Sequence, residues 1–483
     1  MAEARKIIPI ATQSVVADQE QALYEVRRKI YPRAVTGRFA AARVALVLFT
    51  QAVFYGVPWL QWGGRQAVLF DLGARKFYIF GIVFWPQDFI YLTVLLTISA
   101  LSLFLFTAVA GRLFCGYACP QTVYTEIFLW VERKIEGERM QRMKMDSAAL
   151  TGSKLWRKTA KHGVWVAIAL WTGITFVGYF TPITALLHEI GTLSLSAWQT
   201  FWIGFYSFAT YGNAGWMREQ VCKYMCPYAR FQSVMFDPDT LIVTYDGKRG
   251  EPRGARSRKV DPADAGLGHC VDCEICVQVC PTGIDIRKGL QYECIGCAAC
   301  IDACDQVMAR MDYPPGLIRY ATQNSLAQNY GLRQAARRVL RPRVLAYTAI
   351  LWTLIIATGV ILWTRVPLRV DVIRDRATLA REVEREQIEN VYRLQLMNSS
   401  EVAQRVTVQA RGIDGLAVFP QSEPISLPAS SSRIVPIRLR APEKAALAGS
   451  HRIEFVIQTA ADPQQPEQRA ITVHEKSVFL FPR

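Results

Sequence analysis

Two runs of cysteine share one spacing, and that repeat constrains the chain more than any other feature. The first is Cys270-Val-Asp-Cys273-Glu-Ile-Cys276-Val-Gln-Val-Cys280-Pro281; the second is Cys294, Cys297, Cys300 and Cys304. Three thiolates two residues apart wrap a tight loop around three corners of an iron–sulfur cubane, and the fourth corner needs a cysteine arriving from elsewhere. In two-cluster ferredoxins the fourth cysteine of each run serves the other cluster. The spacing predicts one [4Fe–4S] cluster on Cys270, Cys273, Cys276 and Cys304, and another on Cys294, Cys297, Cys300 and Cys280. Zinc sites instead show paired C-x2-C knuckles a dozen or more residues apart. Asp305 stands where the first run has Pro281, which leaves the geometry at Cys304 less specified. Arg287 and Lys288, between the runs, read as a solvated face rather than as charges offsetting a cluster. His269 fits no ligand spacing.

All twelve cysteines lie between Cys115 and Cys304. A secreted disulfide protein would not confine them so, and the clustering points to metal on the reducing side of a membrane. Hydrophobic residues make up 51% of the 483, and charged ones 20%. Intrinsic disorder is excluded by that balance. The apolar excess collects in runs, and five are expected to span a bilayer: Val44–Trp62, Phe89–Ala110, Val164–Phe180, Leu193–Trp216 and Leu345–Trp363. The first, at 19 residues, approximately matches a hydrocarbon core of ~30 Å. The fourth, with Gln199, Ser207 and several aromatics, is the least regular. The opening MAEARKIIPIATQ lacks an apolar core followed by small residues, so no signal peptide is expected.

Lys and Arg total 56 against 40 acids, for a net charge of +16. Beside membrane spans this excess reads as attraction to anionic lipid rather than to nucleic acid. It is dense before the first span and between the second and third, and absent from Thr181–Thr192. The asymmetry predicts a cytoplasmic N-terminus, all cysteines at the cytoplasmic face, and a tail after Thr364 on the opposite side. Arg65, Arg75 and Lys76 in Gly64–Asp88 run against that pattern. Glu132–Asp146, basic with Ile135, Met140, Met143 and Met145, reads as an amphipathic helix at the lipid headgroups rather than as a methionine copper site.

Cys115-Gly-Tyr-Ala-Cys119-Pro120 follows the second span, and Cys222-Lys-Tyr-Met-Cys226-Pro227 follows the fourth. Residues i and i+4 share a helix face, and proline stops a helix at the residue before it. Each motif therefore offers two thiols at a helix C-terminal end, at one membrane face. Cys115, Cys119, Cys222 and Cys226 are the candidate catalytic and copper-binding set, since thiolates suit Cu(I). A third iron–sulfur centre, a redox-active dithiol or disulfide, and inert helix-end cysteines are the alternatives. Neither GxGxxG nor a P-loop occurs in a suitable setting, so no nicotinamide or nucleotide site is indicated.

In these motifs the chain resembles the CcoG/FixG (RdxA) family of accessory proteins for cbb-type cytochrome c oxidase. The resemblance rests on GRQAVLFDLGARKFYIFGIVFWPQD (Gly64–Asp88), GRLFCGYACPQTVYTE (Gly111–Glu126), CKYMCPYARFQ (Cys222–Gln232) and the double ferredoxin run. It extends over nearly the whole length; the C-x3-C-P motifs alone also occur in membrane ferredoxins of nitrate and nitrous oxide reduction systems. The resemblance implies a bacterial cytoplasmic-membrane protein that passes electrons through two [4Fe–4S] clusters to Cu(II), making Cu(I) available to the oxidase. Oxidase subunits or copper chaperones are the implied partners, besides membrane lipid and copper ion; no motif identifies the electron donor.

A periplasmic immunoglobulin-like domain is implied as well, and the residues support it independently. Val391–Asn398, Val402–Ala410, Ser432–Leu439, Arg452–Thr459 and Ile471–Val473 alternate apolar with polar positions, as β-sandwich strands do. Ser399, Ser400 and Glu401 read as a hairpin break between the first two. His451 and His474 read as surface or structural residues. The expected architecture is a cytoplasmic segment (1–43), a four-helix membrane domain (44–227), a cytoplasmic ferredoxin domain (228–343), a fifth transmembrane helix (344–364) and the β-sandwich (365–483). Three functions compete: a cupric reductase, an electron relay without copper chemistry, and a non-catalytic assembly scaffold.

Overall fold

The computed structural model describes residues 29–328, 332–375, 380–383, 386–420, 424–459 and 470–482. The helices that place the site are α1 (Arg38–Gly56), α2 (Phe89–Ala110), the short α3 (Leu113–Tyr117), α4 (Pro120–Glu136) and α5 (Arg139–Ser147), then α6 (Gly152–Val177), α7 (Ala197–Thr210), α8 (Pro227–Met235), α9 (Ala299–Met311) and α10 (Pro342–Trp363). A backbone in lipid must satisfy its own polar groups, which a helix does. Four helices among the described residues are long and apolar enough to cross a membrane: those over Arg38–Trp59, Pro86–Ala110, Gly152–Val177 and Pro342–Trp363.

The span expected over Leu193–Trp216 takes a different form. Leu193 turns the chain at φ +55°. Ser196 caps α7, and beyond Thr210 the helix widens into a π-helical stretch, Tyr211–Met217. Only 14 residues are α-helical, so this segment is not among the four. It nevertheless lies antiparallel against α6. Gly173 of α6 abuts Ser207 and Ile203, and Gly215 abuts Trp165. The polar and aromatic residues that break the apolar run, Ser207 and Tyr211, face α6 rather than lipid.

Glu132–Asp146 is likewise not one interfacial helix. Gly137, at φ +94°, breaks it between α4 and α5. The Arg142 guanidinium turns inward to Glu132 (3.0 Å) and the Pro32 carbonyl (2.7 Å).

One end of the bundle carries the ferredoxin fold. Asp302 of α9 accepts hydrogen bonds from the Phe39 and Ala40 amides (3.3 and 2.7 Å), capping α1 in place of the glycine at its N-cap. The Arg33 amide donates to the Gln278 carbonyl at 2.8 Å. The membrane helix and the ferredoxin core are thus tied together directly.

The opposite end carries a three-stranded meander, β1 (Val68–Asp71), β2 (Lys76–Ile79) and β3 (Ile82–Phe84). At the ferredoxin end β4 (Ile242–Tyr245) pairs antiparallel with β5 (Ile318–Ala321). The C-terminal domain follows: β6 (Leu368–Arg374), β7 (Arg381–Val383), β8 (Gln387–Asn398), β9 (Gln404–Arg411), β10 (Ala417–Phe419), β11 (Ile425–Leu427), β12 (Ser432–Pro442), β13 (Gly449–Thr459) and β14 (Thr472–Phe481). Two antiparallel sheets, ordered β10–β12–β8–β6 with β7 also on β8, and β11–β9–β13–β14, form an immunoglobulin-like sandwich. Leu394, Leu396, Val406, Phe455 and Phe479 fill the space between them.

Ser399–Glu401 is not a hairpin turn, because β8 and β9 belong to different sheets. Asn398 decides this. Its buried side-chain amide donates to the carbonyls of Val402 (2.8 Å) and Pro428 (3.0 Å), arching the chain from one layer to the other. The domain docks on the meander through Trp85 Nε1 to Ser399 Oγ (3.1 Å) and Lys76 Nζ to the Ser430 carbonyl (2.7 Å). Arg65 pairs with Glu401 at 2.7 Å. Two of the three positive charges that ran against the loop asymmetry, Arg65 and Lys76, are therefore partners of the C-terminal domain.

Candidate functional site

The two cysteine runs fold into equivalent loops. Asp272 and Glu274 of the first are left-handed at φ +51° and +54°, and Gly296 and Ala298, at the same places in the second, at +69° and +59°. Three non-glycine residues in that region mark a backbone bent by what it must enclose. Cys270, Cys273, Cys276 and Cys304 line one cavity of about 380 Å³. Cys280, Cys294, Cys297 and Cys300 line another of about 350 Å³, with Cys276 on its wall as well. The fourth cysteine of each run therefore sits with the first three of the other.

Asp305 has a structural reason. The first run ends at Pro281, whereas α9 carries Cys300 and Cys304 and continues to Met311. Asp305 permits that continuation, and its carboxylate accepts from the Gly316 amide at 2.8 Å.

None of the twelve cysteines is paired in a disulfide. Each cavity offers four sulfurs against mainly apolar walls, a donor set and cradle suited to a [4Fe–4S] group, which when bound supplies one-electron redox chemistry. Burial pushes the thiols of Cys276, Cys294 and Cys304 up to about 12. Ligation as thiolate therefore releases protons. Arg287 opposes the shift at Cys276. It is not part of a solvated face: its side chain is 6% exposed, lines the first cavity and pairs with Asp285 at 2.8 Å. Lys288 is exposed. His269 is structural, stacked on Tyr313 and accepting from Arg249 Nε at 2.8 Å.

The C-x3-C-P motifs differ from the expected helix ends. Cys115 lies in α3, but Cys119 is extended and stands at the N-cap of α4, with Pro120 as its first residue. Cys222 lies in a π-helical turn, and Cys226 is the extended N-cap of α8, begun by Pro227. Each proline starts the next helix rather than only stopping the last, since its fixed φ suits the first helical position and its missing N–H is needed by no bond there. The second thiol of each pair consequently sits at a helix N-terminus. At Cys119 burial raises the pKa, and the Gln121 and Thr122 amides oppose it.

These four sulfurs share one electrostatic neighbourhood. Burial pushes Cys115 up to about 12, with the charges of Cys119, Cys222 and Cys226 adding to it and Arg112 opposing. Cys222 is pushed up to about 11, again chiefly by burial, with Cys119 and Cys226 contributing. Cys115 and Cys222 also pack with Cys297 and Ile295, the loop of the second cavity. Among the described residues no three His, Cys, Asp or Glu side chains converge as a single-ion site.

Two residues that the spacing does not reveal make this junction. Arg112 donates to the carbonyls of Tyr292 and Ala229, pinning the second cysteine loop to α8. Gln232, fully buried, accepts from Cys115 Sγ at 3.3 Å. The only hint in the sequence is their place inside GRLFC and YARFQ.

Beside the junction, a buried charge cluster joins α4, α5, α6 and the π-helical stretch. Glu132 lies within 3.0 Å of Arg142, 3.2 Å of Arg218 and 3.6 Å of Lys161. Burial opposes its ionisation, but the Arg218 guanidinium leads the groups that hold its carboxyl below the usual range.

The fold and site define a membrane-anchored iron–sulfur electron-transfer protein with an immunoglobulin-like domain at the end of the bundle away from the cysteines. Family models agree in placement: "4Fe-4S binding domain" matches residues 92–137, "4Fe-4S dicluster domain" residues 217–323, and "IG-like fold at C-terminal of FixG" residues 358–482. Nitrogen fixation protein FixG of Rhizobium meliloti is 39% identical over 422 residues, 81% of this chain and 80% of that one. Protein RdxA of Cereibacter sphaeroides is 39% identical over 437 residues, covering 87% and 91%, and its RdxB 36% over 426, covering 86% and 89%. The chain belongs to the FixG/CcoG family.

Proposed function

We propose that the chain reduces Cu(II) to Cu(I) at Cys115, Cys119, Cys222 and Cys226, for assembly of a cbb-type cytochrome c oxidase in the bacterial cytoplasmic membrane. The ferredoxin end faces the cytoplasm in this reading and the sandwich the periplasm, as the Lys and Arg asymmetry directs.

The observation that carries it is the contact between the first C-x3-C-P motif and the second cysteine loop. Gly116 lies directly against Cys297, and Gly296 against Arg112. Copper here is substrate. Cu(II) prefers nitrogen and oxygen donors, whereas thiolates stabilise Cu(I). A thiolate that binds the ion during a one-electron reduction therefore favours the product. The Gln121 and Thr122 amides at the start of α4 oppose the burial that raises the Cys119 thiol, and Arg112 does the same at Cys115 and Cys222.

The family model over residues 92–137 is described as iron–sulfur binding, which favours a second reading in which the same four thiols hold a third iron–sulfur centre in a relay without copper chemistry. Purified protein with Cys115→Ser and Cys226→Ser separates the two. In the reductase the double variant keeps the iron content and absorbance of the ferredoxin module and loses Cu(II) reduction. Undiminished copper reduction in the variant sinks the assignment. Loss of iron beyond the two expected clusters marks the third centre. The sandwich is then the surface for oxidase subunits or a copper chaperone, tested by crosslinking.

A further inference from the structure

We propose that the cavity between α4, α6 and the π-helical stretch binds a lipid-soluble quinol, the electron donor that no sequence motif identifies. The inference rests on the electron-transfer reading above. At about 870 Å³ the cavity has more than twice the volume of either cysteine-lined one. Its wall includes the π-helical residues Gly215 and Trp216. A π turn costs helix hydrogen-bond geometry and occurs mostly where function requires it.

The wall chemistry selects the ligand. His162 meets Trp165 edge-on at 5.1 Å and stacks on Trp216 at 5.9 Å. The Tyr211 hydroxyl, 2.9 Å from Nδ1, fixes the ring, and no hydrogen bond to Nε2 is present among the described residues. On the aromatic side of the cavity, beside Trp165 and Trp216, that leaves Nε2 to meet a hydroxyl. Lys158 and Lys161 each lie 2.9 Å from Glu136, Arg218 lies 3.2 Å from Glu132, and Lys29 2.6 Å from Asp146. With its cations already paired, the cavity suits a neutral planar diphenol better than an anionic headgroup. Trp216 is 56% exposed on the membrane bundle, which gives entry from lipid.

The position suits electron donation. Arg218 and Glu219 line this cavity and also a second one of about 430 Å³, whose walls include Cys222 and Cys297. Oxidation of a quinol to the quinone breaks two O–H bonds and releases two electrons and two protons. His162 Nε2 takes one proton and the Glu219 carboxylate the other. The electrons would leave one at a time across Arg218–Glu219 toward Cys297; Cys280, Cys294, Cys297 and Cys300 would hold an iron–sulfur group that takes one electron per transfer, the second following once the first has passed on.

The test is photolabelling of the full chain, in phosphatidylcholine nanodiscs, with an azido-ubiquinone of short tail, mapped by mass spectrometry. The expected label falls on residues 158–165 and 211–219, is displaced by excess decylubiquinone, and needs about tenfold more competitor in His162→Leu, as loss of one hydrogen bond would give. Label scattered over the lipid-facing sides of α2 and α10 overturns the proposal. So does displacement by cardiolipin and not by decylubiquinone, which would mark a headgroup pocket. Competition on the unmodified chain decides the matter should the variant not fold. Labelling needs no copper, so its failure is separate from failure of the copper-reduction reading.

Discussion

Gly116 and Cys297 meet backbone to backbone: a Cβ on Gly116 would lie 2.8 Å from both the Cα and the amide nitrogen of Cys297. No flexible side chain can yield there. Gly116→Ala must move one loop off the other, at about 1–3 kcal/mol by the measure of overpacked sites. The variant is expected to keep its helical content while losing iron from the Cys294, Cys297, Cys300 and Cys280 site first, read as iron per chain and by electron paramagnetic resonance. Full iron retention would show that the junction is looser than the contact requires.

The sharing of cysteines between the two runs makes a non-additive prediction. Cys304→Ser should remove the group held with Cys270, Cys273 and Cys276, so that iron falls by about half. Adding Cys273→Ser should then cost nothing more, whereas adding Cys294→Ser should remove the rest. The reverse pattern would assign Cys304 to its own run.

Glu389 is buried between Arg381 and Arg440, at 2.7 Å from the latter. Burial opposes its charge, but the Arg440 and Arg381 guanidiniums hold the carboxyl below the usual range. A folded-state pKa below the unfolded ~4.3 gives stability that is present above that pH and lost as acid brings the pH down through the folded value. Glu389→Gln should lower stability by about 1–3 kcal/mol at pH 7, less than a fully buried pair because both arginines reach solvent. Melting of variant and parent should converge as the pH falls below 4; a constant difference would refute the ionic origin.

Asp88 holds the sandwich to the bundle through Arg365 at 2.6 Å and Arg369 at 2.7 Å. Asp88→Asn leaves both cations without their counter-charge and should free the linker between α10 and β6. Trypsin is expected to cut after Arg365 about tenfold faster, following the local opening equilibrium. Unchanged cleavage would mean that Trp85 and Ser399 suffice.

The ferredoxin module was legible because ligand spacing is a property of short segments: C-x2-C-x2-C turns the chain around a cubane whatever surrounds it. The sandwich strands were legible through alternation, although β14 extends to Phe481, past the expected Ile471–Val473, where its mixed residues conceal the period. Pairing was less readable. Ser399–Glu401 looks like any two-strand turn, and only the bonds of Asn398 to Val402 and Pro428 send β9 to the other layer. The same limit hid Arg287, whose burial depends on Asp272 and Asp285 folding beside it.

From its order of residues alone, this protein was bound to hold two thiol quartets and several apolar helices, because cysteine spacing and hydropathy act over a few turns of chain. The approach of residues 115 and 222 to the loop of residue 297, the π turn that opens the large cavity, and the arginine pairs that dock the sandwich were settled by tertiary structure. Each joins segments separated by many tens of residues, and close packing with paired charge, not local preference, determines which of those segments meet.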